Sequence, residues 1–285
     1  MTASEHAAAS ADFVLAARDG ATVHIARHGG HVCRWRTPDG VERLYLSPLP
    51  RQPGEPIRGG IPVVFPQFAN RGSLPMHGFA RTQPWGLGQS SLLPDGRAEA
   101  VAALADSPVT LALWPHPFHL ELAVTVGGDS LDVRMRVHNT GNAPFDFMCA
   151  LHTYLATSTE GARIGGLQRL AYVDNLSGAP GRDGDEPLVI DRAVGRLYFG
   201  VAEPLTLDDG PARVRIAQEG FRDVVVWNPG AHPPAPLPGL PPDGYRNFIC
   251  VEAAVIERPI TLAAGATWTG VQRVRAVNDP AAASS

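Results

Sequence analysis

Three groups of residues in this chain have the types and placing that chemistry needs: a glutamate inside an apolar run, a histidine inside another, and arginines gathered on a segment broken by glycine and proline. The glutamate is Glu252, in NFICVEAA. A carboxylate is almost never fully buried without a partner, so Glu252 either faces solvent or sits in a pocket opposite a cation. Alternation puts it on the side of Phe248, Cys250 and Ala254, against Ile249, Val251 and Ala253, which strains the solvent reading. The histidine is His152, in MCALHTYL, near what reads as a strand end. A histidine there is either a hydrogen-bonded core residue or an acid–base catalyst, and local sequence leaves both open. The third group spans Arg58 to Trp85 and carries Arg58, Arg71, Arg81, His77, Gln67 and Asn70. Pro62, Pro66 and Pro75 forbid one regular element there, and Gly59-Gly60 and His77-Gly78 give the backbone freedom to turn sharply or approach a ligand. The segment therefore reads as a binding loop, against the plainer reading of a surface loop with scattered arginines.

Composition narrows the chemistry. All 24 basic residues are arginine, so Schiff-base, pyridoxal-phosphate and P-loop lysine chemistry are excluded, and an anion site must be built from guanidinium or backbone amide. A net charge of −4 disfavours nucleic acid or an anionic membrane as the main partner. No signal peptide or membrane-spanning run is legible, and Cys33, Cys149 and Cys250 lack C-x-x-C spacing; a cytoplasmic protein with reduced, buried thiols is expected. His116 and His119 have metal-like spacing only on a helix, which Pro115 and Pro117 forbid. Neither G-x-S-x-G nor G-x-G-x-x-G occurs.

The elements that must position these residues read as strands. Short alternating runs recur between turn signals: FVLAA, ATVHIA, HVCRW, VERLYLS, AEAVAALA and VTLALWP, then FHLELAVTVGGDSLDVRMRVHN split at Gly127-Gly128-Asp129. ARVRIAQEG, DVVVWNPG, NFICVEAAVI and ATWTGVQRVRAV follow, and no 3.6-residue period runs longer than ten residues. The expectation is an all-β protein, a large antiparallel β-sandwich. Residues 12–277 would form one domain, with 1–11 and 278–285 as flexible tails and the proline-rich run His232–Pro242 as a rigid loop inside it.

RGGIPVVFP, LPMHGFARTQPW, ALHTYL, DVVVWNPG and GYRNFICVEAA stand in the order they have in the aldose 1-epimerase superfamily. The chain most resembles the glucose-6-phosphate 1-epimerase (hexose-6-phosphate mutarotase) branch, from GATVHIARHGGHVCRWR to GATWTGVQRV. The resemblance implies a galactose mutarotase-like supersandwich with an open cleft, no metal and no organic cofactor. It implies that His152 is the general acid, Glu252 the general base, His77 a substrate-binding histidine, and Arg58 and Arg81 the arginines facing a sugar phosphate. The chain departs from the family where an acid usually precedes a strand tyrosine by three: Gly195 stands there, with Asp191 a substitute only if the loop is rearranged. Gly239 replaces another acid, before the retained Asp243-Gly244-Tyr245, and Met76 stands where many members carry a polar residue. These departures bear on which sugar is bound rather than on proton transfer.

The expected function is interconversion of the α and β anomers of a hexose 6-phosphate, by a monomer acting on a small-molecule sugar phosphate. A mutarotase for an unphosphorylated aldose would use the same acid and base. A carbohydrate-binding module on the same sandwich would bind without accelerating exchange, and an unrelated structural protein would leave His152 and Glu252 apart in space.

Overall fold

A computed structural model describes residues 12–210, 212–233 and 237–277; the tails expected at 1–11 and 278–285 lie outside the described residues, as does the middle of the proline-rich loop. Two antiparallel sheets dominate. The larger has nine strands, in the order Leu188–Val189, Arg163–Gly165, Leu205–Asp208, Arg213–Glu219, Thr267–Val277, Ser130–Asn139, Phe118–Gly127, Ala98–Ala105 and Gly86–Leu92. The second runs Pro180–Arg182, Ala171–Asp174, Val194–Tyr198, Asp223–Asn228, Phe248–Leu262, Phe145–Leu151 and Val63–Val64, with Tyr154–Ala156 also paired to Phe248–Leu262. A small sheet of Phe13–Ala16, Thr22–Ala26 and His31–Arg36 completes the set. The protein is an antiparallel β-sandwich, and no helix among the described residues is long and apolar enough to cross a membrane.

Period-2 alternation divides the Phe248–Leu262 strand between two environments. Ile249, Val251, Ala253 and Val255 enter the main core, where they meet Leu120, Leu122, Val124, Leu131, Val133 and Met135 of the nine-stranded sheet. Cys250, Ala254 and Ile256 point the other way, into two smaller clusters with Tyr154 and Phe248 on one side and Val64, Phe68 and Val225 on the other. Each fully buried Val, Leu or Ile contributes about 1.5–3 kcal/mol. The sandwich interior therefore carries most of the stability, and polar groups on the opposite face can be tolerated.

Two segments expected as strands are not. VTLALWP contains an α-helix, Pro108–Leu113, because Ser107 and Thr110 form a reciprocal capping box and Pro108 occupies the first turn. VERLYLS makes only isolated bridges, at Glu42, Leu44 and Leu46. The hairpin at Gly127-Gly128-Asp129 forms as expected, with Gly127 opposite Ser130. Cys33, Cys149 and Cys250 are all buried and free.

The Arg58–Trp85 segment is a folded loop rather than an element, and Gln67 is its internal clamp. The Gln67 amide donates to the carbonyls of Ala69 and Leu74 at 3.0 Å, and its Oε1 accepts from the Leu74 amide at 2.9 Å. The loop returns through two consecutive left-handed residues, His77 (φ 66°) and Gly78 (φ 70°). A β-carbon on Gly78 would lie 2.1 Å from the Phe65 carbonyl oxygen. Gly78→Ala should therefore lower stability by at least about 2 kcal/mol in urea denaturation, since left-handed strain and backbone overlap add. An unchanged midpoint would show that the loop is free to move.

Candidate active site

Sheet register brings the two candidate proton-exchanging residues, His152 and Glu252, together across a hundred positions of sequence. Leu151 pairs with Ala253 and Tyr154 with Cys250, so one step in from the first pair, or two from the second, puts His152 opposite Glu252. The Val251 amide donating to the Thr153 carbonyl at 3.1 Å confirms that register through the gap. Directly opposed side chains on antiparallel strands have β-carbons about 4.5–5.5 Å apart, and here His152 Nδ1 lies 3.4 Å from Glu252 Oε1. The row continues on both sides: Val225 faces Glu252, Leu197 faces Val225, and the His152 amide donates to the Pro62 carbonyl at 3.0 Å. Rigid strands thus position the pair.

Burial sets the pair's charge state. Glu252 is 2% exposed and His152 8%. Burial pushes the Glu252 carboxyl well above its ordinary value, with Arg81 pulling part of the way back. Burial also holds the His152 imidazole well below its ordinary value, helped by His77, Arg81 and Arg58. The 3.4 Å approach lacks hydrogen-bond geometry, and burial favours the uncharged form of each group. Among the described residues no group hydrogen-bonds His152 Nδ1 or Glu252 Oε2.

Rings enclose the imidazole. Tyr154 stacks on it at 4.8 Å and 13°, while His77 and Trp227 present edges at 5.7 Å. His77 is itself fixed by the loop: its Nδ1 accepts from the Ala69 amide at 3.3 Å, and Phe68 packs edge-on at 5.2 Å. Burial beside Arg81 and Arg58 lowers its pKa to about 3, so His77 acts as a neutral hydrogen-bonding group. The two arginines stand at the rim. Arg58 donates from Nε and Nη2 to the Pro238 carbonyl and from Nη1 to the Tyr154 hydroxyl, each at 3.2 Å. Arg81 donates from Nη2 to the Met76 carbonyl at 2.8 Å. Neither guanidinium has a carboxylate within 4 Å among the described residues.

All five residues singled out in the sequence gather in one region: His152, Glu252 and His77 in contact or one ring apart, and Arg58 and Arg81 near enough for their charge to act on the imidazole. Trp227, which read either as strand termination or as a pocket wall, lies one residue from the end of the strand Asp223–Asn228 and packs edge-on against His152. Tyr154 escaped notice, although its position two residues after His152 on a strand put it on the same face. Asp191, the candidate substitute for the acid missing at Gly195, has its side chain 63% exposed beside Arg192. The space next to Gly195 is taken by Leu176, whose Cγ would lie 3.4 Å from an added β-carbon. Gly239 packs over Arg58, its would-be β-carbon 3.5 Å from that of the arginine. No group of three or more His, Cys, Asp or Glu among the described residues is arranged to hold a metal.

The buried carboxyl has a measurable consequence for stability. Glu252 binds its proton more tightly folded than unfolded, so its contribution declines as pH rises from the unfolded value of 4.5 toward the raised folded one. His152 runs the opposite way, costing stability as pH falls below 6.5. Glu252→Gln should therefore raise Tm by roughly 2 °C or more, with a gap that widens from pH 5 to pH 8. A gap that narrows with pH would mean that Arg81 stabilises an ionised carboxylate instead.

Comparison with known proteins identifies the family. Residues 12–275 match the Aldose 1-epimerase family. A protein of Cenchrus ciliaris, provisionally named glucose-6-phosphate 1-epimerase, is 34% identical over 258 residues, covering 86% of this chain and 78% of that one. An Escherichia coli protein with the same provisional name is 31% identical over 245 residues, covering 81% and 78%. The crystal structure of YeaD from Salmonella typhimurium, provisionally described as a mutarotase, superposes with a TM-score of 0.86 at 24% identity over 95% of this chain and 91% of that one, a likeness of fold. The chain belongs to the aldose 1-epimerase family and is an isomerase that interconverts the anomers of an aldose.

Proposed function

We propose that the aldose is a hexose 6-phosphate, with glucose 6-phosphate the first candidate, and that His152 and Glu252 carry the proton transfers. One observation carries the phosphate reading: two guanidinium groups, Arg58 and Arg81, stand beside the pair with no carboxylate within 4 Å among the described residues. Forked guanidinium donors match the oxygens of a phosphate, and charge-assisted bonds of this kind are the strong ones. The names of the two relatives at 34% and 31% identity point the same way.

Ring opening breaks the C1–O5 bond, delivers a proton to O5 and removes one from the C1 hydroxyl, leaving the aldehyde. Rotation about C1–C2 and closure on the other face reverse the traffic. Glu252 takes the hydroxyl proton and His152 supplies the one for O5, each contributing about 10²–10⁴-fold. Burial favours the proton on the carboxyl in the free protein, and a proton passed to the imidazole across the 3.4 Å separation, which substrate binding must tighten to a hydrogen bond, leaves Glu252 ready to act as base. A proton shared inside a net-neutral pair avoids the cost of creating a buried charge at each turnover. His77, neutral and fixed, offers a hydrogen bond to a sugar hydroxyl.

An unphosphorylated aldose is the second reading, favoured by Arg58 already spending three donors on Pro238 and Tyr154. Anomer exchange followed by saturation-transfer NMR on glucose 6-phosphate and glucose side by side decides between them. Acceleration confined to the phosphate supports the first, and equal acceleration removes it. Glu252→Gln should lose at least about 100-fold in exchange rate while remaining folded, and retained activity would sink its role as base. Arg81→Ala should raise KM for the phosphosugar roughly 10- to 100-fold and leave glucose little changed, whereas equal losses on both would argue against a phosphate site.

A further inference from the structure

The imidazole of His152 lacks the usual orienting partner. Its ring nitrogen Nδ1 makes no hydrogen bond among the described residues, Glu252 Oε1 approaching to 3.4 Å without the geometry for one, so the rings around it set its plane. Of these, Tyr154 alone lies face to face with it, and Tyr154 is 1% exposed and fixed by pairing with Cys250. The far end of the same phenol accepts from Arg58 Nη1. That guanidinium also holds the Pro238 carbonyl through two further donors, so an anion taking any of them must redistribute the rest. The phenol stays neutral, because burial pushes its pKa up. A continuous contact thus runs from the rim cation through one stiff aromatic ring to the acid.

We propose that Tyr154 is a positioning residue that transmits occupancy of the Arg58 anion site to the ring plane of His152, so that a phosphate on the substrate raises the rate of proton transfer and not only affinity. The proposal rests on the phosphosugar reading above. When Arg58 turns toward phosphate oxygens, its bond to the Tyr154 hydroxyl shifts or breaks, the phenol tilts, and the stacked imidazole follows. A remote non-reacting group is then used to orient a reacting one, which is how binding energy enters kcat. Misplacement of a reacting group by about 1 Å costs on the order of 100-fold, so a small tilt is enough to matter.

Tyr154→Phe tests this, because it keeps the stacked ring and removes only the hydroxyl. Because the variant lacks the bond that phosphate is proposed to release, exchange kinetics should show glucose turned over roughly 10- to 100-fold faster, toward the phosphosugar rate, with phosphosugar kcat and KM within about twofold of wild type. An unchanged glucose rate would overturn the proposal. An equal fall in kcat on both sugars would reduce Tyr154 to packing and overturn the proposal, as would a rise in phosphosugar KM alone. The phosphate reading itself fails separately, if wild-type protein treats the two sugars alike. As a second measurement, independent of how the variant folds, inorganic phosphate added to the wild-type protein should shift the His152 ring signals in NMR, identified by their loss in His152→Gln. Unmoved signals at saturating phosphate would overturn the coupling.

Discussion

The register between two strands is the constraint on which the candidate site depends. His152 and Glu252 meet because Leu151 is opposite Ala253 and Tyr154 opposite Cys250, and no loop has to close to bring them together. A slip of one residue would put Val251 or Ala253 in the glutamate's place and turn Glu252 into the apolar core. The same slip would expose Ile249, Val251 and Val255, so the hydrophobic interior enforces the catalytic geometry. Folding and function are therefore specified by one pattern of alternation along Phe248–Leu262.

The two faces of that strand divide the labour. The inner face packs against the nine-stranded sheet and carries the apolar burial. The outer face carries groups that cost stability: a carboxyl and an imidazole, each pushed toward its uncharged form by burial, beside a loop with left-handed Ala69 and His77. Strain and buried polarity gather where the chemistry is proposed, which is where such costs are usually retained.

Much of this was legible in the sequence, for local reasons. Alternation gave the strands and placed Glu252 on the face away from Ile249 and Val251, and glycine and proline marked Arg58–Trp85 as a loop. The failures have equally local causes. VTLALWP alternates like a strand over a few residues, but Ser107, Pro108 and Thr110 supply a complete helix start, a signal that was present and outweighed. The opposition of His152 to Glu252 has no local signal, because register between segments a hundred residues apart is decided by the whole sheet. Tyr154 lay within reach of the same alternation rule that placed Glu252. Leu176, which fills the space beside Gly195, comes from a turn nineteen residues earlier, and only the folded chain reveals that neighbour.

The cations that border the pair are guanidinium, and the chain has no lysine at all. An isomerase that opens sugar rings generates an aldehyde inside its own cleft at each turnover, and aldehydes condense with primary amines to give imines. A guanidinium group such as that of Arg58 or Arg81 offers no such primary amine. The open-chain sugar can therefore rotate and close without being captured by the groups that hold it, and the protein is spared the slow glycation that its own intermediate would inflict on a lysine-lined site.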